Sequence, residues 1–183
     1  DAFLHAVKTA ASATGKSYDL MDVEDIAAVL TELNAYTRQQ EAGVTLTAED
    51  LYINAKAAYG YNYIDANLDV THDNDSQGEH GSHVAGIAAA NRFIKKQDVF
   101  VDAARETGVA GNAPDAQILT MKVFGANGGA YDSDILAAME DALILGADAI
   151  NLSLGSPLAG RTYSDDPLYE ELFNSLTETD TVV

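Results

Sequence analysis

Apolar positions in the first third of the chain recur at helical spacing. Across residues 23–39, Ile26, Val29, Leu30 and Leu33 stand three or four apart with polar side chains between them, which predicts one amphipathic helix. Thr47, followed by Ala48, Glu49 and Asp50, is placed to cap a second short helix that runs into Leu51, Tyr52 and Ile53. From Tyr59 the texture changes. GYNYID reads as a short strand, and LDVTHDNDSQGE, dense in turn formers, as a loop that ends at His80. The following HVAGIAAANRF is a helix apolar nearly all round, with small residues at Ala85, Gly86, Ala88, Ala89 and Ala90. It is expected inside the protein, closely approached by its neighbours.

Residues 108–155 carry the clearest order: a strand over 117–124, a helix over 132–145 and a strand over 148–154 make a βαβ unit. Asp132 or Ser133 is placed to cap the helix, Ile135, Leu136, Met139 and Leu143 form its buried stripe, and Gly146 supplies a left-handed stop. The pattern predicts that 118–124 and 148–154 lie parallel in one sheet, joined by a right-handed crossover, with the helix from His80 packed centrally. Asp166 and Pro167 read as N-cap and first position of a helix through Leu168, Leu172 and Leu176, and Thr181, Val182 and Val183 as the start of a strand. The fold class expected is α/β, a partial three-layer domain with a parallel sheet over residues 59–183, preceded by a helical insertion over residues 1–58.

Composition narrows the partners. With 183 residues, 47% hydrophobic, the chain can build one core. Ten basic against 29 acidic side chains leave a formal charge of −19, which repels phosphates and anionic lipid, so no nucleic-acid partner is expected. Uncharged apolar runs such as 142–146 fall far short of the roughly 20 residues a membrane-spanning helix needs, so no membrane-spanning segment is expected. The opening DAFLHAVKTAASATGKSYD has neither the basic start nor the apolar run of a secretory signal, so a signal is either absent or removed upstream. The acidity reads as a solvated surface. Calcium is left open at Asp65, Asp69, Asp73 and Asp75, whose spacing lacks a calcium-loop pattern, and no cofactor or metal ligand set is assigned. The absence of cysteine excludes disulfides, thiolate metal sites and cysteine nucleophiles.

The candidate chemistry lies in EHGSHVAGIAAA, where His80 stands at the entry to a helix. The positive end of the helix dipole faces the imidazole there and favours its neutral, proton-accepting form. A general base must also reach a hydroxyl and be oriented by a third group, and Gly81 leaves space beside the ring. Taken alone, a histidine at a helix start is more commonly a cap or a surface residue. Its context changes that reading: HGSHVAG, then GVAGNAPDAQILTMKVF, then ADAINLSLGS resemble, in order and approximate spacing, the subtilase family of serine endopeptidases.

The resemblance runs from Tyr59 onward, with HGSH standing where the family has HGTH. It implies a subtilisin-like fold, a polypeptide substrate and a secreted or cell-wall-associated location. His80 is the implied general base, and His83 the implied structural histidine packed against the core. The family's substrate lies as an extended strand between two edge segments of the enzyme. Ser153, Leu154 and Gly155 match one edge, and Gly128, Gly129 and Ala130 fall where the other should be, although this glycine run also reads as a plain loop. The helical insertion and the phrase AAYGYNYIDANLDVTHDNDSQGEHGSHVAG look like the cell-envelope proteinases, the lactocepin and C5a-peptidase-like branch. In that branch the aspartate motif ends in a sequence similar to DHDAF, which sets Asp1, Ala2 and Phe3 just downstream of the catalytic carboxylate.

The departures weigh as much as the matches. No DTG or DSG triplet, no AAGN segment and no GTSMA-like serine motif occurs in these 183 residues. The chain therefore reads as a fragment holding only the histidine of the triad, expected to be inactive in isolation and to expose sheet edges that favour an edge-strand dimer. Two other readings compete. A metal-dependent hydrolase would use His80 and His83, but zinc proteases of the HExxH type need a spacing of four and a glutamate beside the first histidine. A non-catalytic pseudoprotease module that binds peptides or a partner is left open by the residues themselves.

Overall fold

A computed structural model describes residues 1–73, 78–155 and 167–183. The Asp1 carboxylate opens α1 (Ala2–Thr14) by accepting from the backbone N–H groups of Phe3 at 2.7 Å and Leu4 at 3.2 Å. One face of α1 buries Phe3, Ala6 and Val7. The His5 ring stacks on Phe100 at 4.4 Å and meets the edge of Phe93 at 5.0 Å. Those two phenylalanines belong to an antiparallel hairpin of β2 (Phe93–Lys96) and β3 (Val99–Asp102), turned by Gln97 and Asp98 at positive φ. Asp102 then accepts from the Arg105 N–H to start α6 (Ala103–Thr107).

The helix expected over 23–39 is two helices. The chain forms α2 (Val23–Val29), tightens into a 3-10 turn over Leu30–Glu32, extends at Leu33 and restarts as α3 (Asn34–Glu41). The break has a tertiary cause. The Asp141 carboxylate reaches the start of α3 and accepts from the Asn34 N–H at 2.7 Å and the Ala35 N–H at 3.0 Å, so it serves as an N-cap supplied from elsewhere in the chain. Leu33, extended at the break, is fully buried. As the sequence predicts, Thr47 stands at the N-cap of α4 (Ala48–Leu51), where the Asp50 carboxylate accepts from the Thr47 N–H and hydroxyl, each at 2.9 Å.

The sheet is parallel, but its pairing differs from the one expected. β1 (Ala57–Asn62) pairs with β4 (Ile118–Lys122), with Gly60 opposite Thr120 and Asn62 opposite Lys122. Residues 148–154 form no ladder with β4 among the described residues. Ala149 instead makes a single parallel bridge to Val182, in which the Ile150 N–H donates to Val182 O at 2.7 Å and the Val182 N–H to Asp148 O at 3.0 Å. A strand is defined by its bonding partner, and the partner in reach of Ala149 is Val182, which also reduces the strand expected at 181–183 to one bridge.

Between these segments runs α7 (Asp132–Ile144), with Tyr131 at its N-cap position and Asp132 as its first helical residue, so neither Asp132 nor Ser133 caps it. Ile135, Leu136 and Met139 are buried as expected, and Leu143 is half-buried. Gly146, at φ +74, ends the helix in the left-handed conformation that a β-carbon disfavours. Then α8 (Pro167–Leu176) buries Leu172 and Leu176 against α7, and Asp166 lies outside the described residues.

One core joins the helices of 22–51 to the sheet and α7: Ile26, Leu33 and Leu51 share a buried cluster with Tyr59, Tyr61, Tyr63, Ile135 and Met139. Neighbouring residues of β1 are buried as well, as befits a parallel strand covered on both faces. Within this core sits fully buried Asp141. Beyond its two backbone donors it accepts from Asn34 Nδ2 at 3.0 Å and from the Tyr63 hydroxyl at 2.8 Å, and Tyr63 in turn lies 3.0 Å from the Tyr59 hydroxyl. Burial pushes the Asp141 carboxyl up from the ordinary carboxylate range, against the opposing pull of its donors on Asn34, Ala35 and Tyr63. Burial likewise pushes up the hydroxyls of Tyr59 and Tyr63.

Two outcomes are expected from this network. Asp141→Ala strands the Asn34 and Ala35 N–H groups and the Tyr63 hydroxyl, and should cost about 2–4 kcal/mol in urea unfolding, with Asp141→Asn losing less because one accepting oxygen remains. A raised carboxyl also means that the folded chain holds that proton more tightly than the unfolded chain. The contribution is present below the ordinary carboxylate range and is lost as pH rises through the folded value. Wild-type stability measured against Asp141→Asn, which does not titrate, should therefore fall as pH rises across the weakly acidic range, and a flat or rising difference would contradict this.

Candidate active site

The histidine motif forms the start of α5 (His80–Ala89), as the sequence predicts. Glu79 holds the N-cap position without a side-chain cap bond, so His80 is the first helical residue. Its side chain is exposed, and among the described residues no hydrogen bond or ion pair links it to a carboxylate, to Gly128, Gly129 and Ala130, or to Ser153, Leu154 and Gly155. The carboxylate nearest in sequence faces His83 instead, with Glu79 Oε2 3.8 Å from His83 Nε2.

Two expectations for this helix are overturned. It does not lie in the interior, since Ala89 is its one buried residue and Ile87 is 68% exposed. Nor is His83 packed in the core, because its side chain is 74% exposed. The small side chains that make α5 look like an interior helix also leave it little to bury. What fixes α5 is a backbone contact at its far end. The N–H groups of Gly111, Asn112 and Ala113 donate to the carbonyls of Ala90, Ile87 and Ala88 at 3.1, 3.0 and 2.8 Å, and Asn112 Nδ2 adds a second bond to Ile87 O at 2.9 Å. These donors satisfy carbonyls that a helix end otherwise leaves without partners. The approach is so close that a β-carbon on Gly111 would lie 2.2 Å from the Ala90 nitrogen. The phrase GVAGNAP therefore acts as the C-terminal clamp of the histidine helix. A shallow groove of about 410 Å³ lies between His83 and Ile87 on one side and Val109, Ala110 and Asn112 on the other.

Gly128, Gly129 and Ala130 sit on the connection from β4 to α7. It is closed by the Gly128 N–H donating to Gly125 O at 2.9 Å and the Gly125 N–H to Gly129 O at 3.0 Å. Ser153, Leu154 and Gly155 are exposed, and Asn151 Nδ2 donates to the Ser153 hydroxyl at 2.9 Å. Among the aspartates left open for calcium, Asp65 accepts from Asn62 Nδ2 and Asp69 from the Thr71 N–H. Asp73 is exposed and Asp75 lies outside the described residues. Among the described residues no group of three or more histidines and carboxylates is arranged to hold a metal ion, and no helix is long and apolar enough to cross a membrane.

Sequence reasoning missed the polar residues that join the helical part to α7 and to the end of β1: Arg38, Asp134 and Asp141. A signal existed. Asp134 and Asp141 stand seven apart within an apolar helix, which puts both carboxylates on one face, at positions where an exposed pair has no reason to interrupt the buried stripe.

Comparison with known proteins agrees with the motif order. Residues 34–181 match the Subtilase family. The chain is 35% identical over 158 residues to the PI-type proteinase of Lactococcus lactis subsp. cremoris, covering 85% of this chain and 8% of that protein. It is 32% identical over 162 residues to the PII-type proteinase of Lacticaseibacillus paracasei, covering 87% and 8%. It is 37% identical over 123 residues to the minor extracellular protease Vpr of Bacillus subtilis (strain 168), covering 64% and 13%. The chain thus spans under a tenth of the length of the two PI- and PII-type relatives.

The clamp and the exposed histidine lead to opposite mutational outcomes. Gly111→Ala forces apart two backbones that touch and should cost roughly 2–3 kcal/mol of stability. His83→Ala removes an exposed ring and should stay within about 0.5 kcal/mol of wild type. Chemical denaturation of the two variants should separate them, and a His83→Ala loss as large as that of Gly111→Ala would return this histidine to the core.

Proposed function

Starting from the premise that this chain belongs to the subtilase family, we propose that it forms part of the catalytic domain of a serine endopeptidase in which His80 is the general base. The observation that carries the reading is the HGSH sequence opening α5 with the His80 side chain exposed at the helix N-terminus. A β-carbon on Gly81 beside it would meet no heavy atom within 4 Å, which leaves room for a hydroxyl to approach the ring. In the proposed reaction the imidazole takes the proton of a serine hydroxyl as its oxygen attacks the peptide carbonyl, then returns it to the leaving amine. The serine, and the carboxylate that orients the ring, are to come from outside these 183 residues.

The substrate is a polypeptide bound in extended form, with residues 128–130 as one edge and 153–155 as the other. Support for the first edge is the closed turn over 125–129, which leaves Gly129 and Tyr131 exposed beside the start of α7. The extracellular label of one relative and the charge of −19 fit a secreted or cell-wall-associated enzyme. The competing reading, a domain that binds peptides without cutting them, shares the edges but not the proton transfer.

His80→Ala in the full-length parent protease decides between them. It should lower kcat/KM for a peptide substrate by about three orders of magnitude or more, with thermal unfolding unchanged, because an exposed ring contributes little packing. The 183-residue chain alone should show no hydrolysis. A His80→Ala parent that keeps more than about a tenth of wild-type activity would remove His80 from the base role.

A further inference from the structure

We propose that Arg38, on α3, is a positioning residue for the 125–131 connection, and so tunes how firmly the enzyme holds an extended peptide along Gly128, Gly129 and Ala130. This rests on the reading of those three residues as a substrate edge. The geometry is a brace across the two roots of the connection. At one root, Arg38 Nη1 donates to Tyr63 O at 2.7 Å, just beyond the end of β1, where the Tyr63 N–H itself donates to Lys122 O at the end of β4. At the other root, the same nitrogen meets Asp134 Oδ1 at 2.6 Å, and Nη2 donates to Ser133 O at 3.3 Å in the first turn of α7. Asp134 is buried, and the Arg38 side chain is only 24% exposed.

The connection hangs between these roots. Tyr131 O accepts from the Asp134 and Ile135 N–H groups, which ties the end of the connection to the turn that Arg38 grips. At its start, a β-carbon on Gly125 would lie 3.0 Å from Ile64 Cγ1, so the connection rests on the residue after Tyr63. The planar guanidinium holds its donors in a fixed fork, so Nη1 serves Tyr63 O and Asp134 Oδ1 while Nη2 serves Ser133 O, whereas a lysine ammonium is a compact, rotating charge on a flexible stem that lacks this fixed geometry. The carboxylate also anchors the first turn of α7, near the positive end of that helix dipole. Arg38 belongs to the helical part of the chain, so this brace lets that part act on the proposed substrate edge without touching substrate.

The test compares wild-type, Arg38→Lys and Asp134→Asn forms of the full-length parent on peptides of increasing length on the acyl side of the scissile bond. Each added residue that pairs with the edge should raise wild-type kcat/KM. In Arg38→Lys the gain between the shortest and longest peptides should shrink by about tenfold, while the shortest peptide is cleaved within about twofold of wild type. Amide exchange at Gly129, Ala130 and Tyr131 in the 183-residue chain should quicken in Arg38→Lys with β1 and β4 protection unchanged. An unaltered length dependence with unaltered exchange would overturn the proposal. So would an equal loss for every peptide accompanied by a lower melting temperature, which marks a purely structural role. If the wild type cleaves peptides with no gain from length, residues 128–130 are not an edge and the proposal falls with that reading. If it cleaves nothing, the endopeptidase reading itself fails, and the exchange measurement alone then reports whether Arg38 orders the connection.

Discussion

The structure depends on one buried carboxylate. Asp141 joins three segments far apart in sequence: its own helix presents it, α3 donates from two backbone N–H groups and the Asn34 amide, and the tyrosine hydroxyl that follows β1 completes its set. A carboxylate removed from water is costly unless nearly every lone pair is used. Meeting that requirement forces the helical part to break at Leu33, sets α3 against α7 and seats Tyr63 at the end of β1. The apolar contacts of Ile26, Leu33 and Leu51 with Tyr59, Tyr61 and Met139 supply bulk stabilisation, on the order of 1.5–3 kcal/mol for each large side chain fully buried. The polar network decides which of the many arrangements of such residues is adopted.

The same interface links architecture to chemistry. Arg38 and Gln39, about one helical turn past the capped Asn34, reach the exit of β1. Arg38 takes Tyr63 O, and Gln39 takes the Tyr61 hydroxyl and Ala66 O. The helical residues before β1 are thus no passive insertion in the path of the chain. They hold the carboxyl-terminal end of the parallel pair, which is where α/β sheets commonly place their ligands. The histidine helix is held differently, by a close backbone clamp at Gly111 that leaves its His80 end open.

Much of this was legible in residue patterns. The strand at 118–122, the helix at 132–144, the Thr47 cap, the stop at Gly146 and the helix beginning at His80 all follow from local spacing and capping chemistry. Pairing was less legible. β4 bonds to β1 rather than to residues 148–154, because a parallel strand carries no mark of which neighbour it will meet. The small-residue face of α5 was expected inside on hydrophobicity alone, and His83 on the family resemblance. Burial depends on what another element places over a face, and an alanine-rich helix has little side-chain area with which to draw one in.

The sequence by itself therefore determined the local elements, the acidic surface, the family and the place of His80 at a helix N-terminus, since each is encoded within a few residues or in a fixed motif order. Only the tertiary structure decided that the predicted 23–39 helix is two, that Asp141 is a cap and not a surface charge, that Arg38 joins the end of β1 to α7 and that Gly111 meets the end of α5. Those facts arise from groups that meet across some 20 to 107 positions of chain. Neither partner alone reveals such a meeting, because a hydrogen bond or a close backbone approach is a property of the pair.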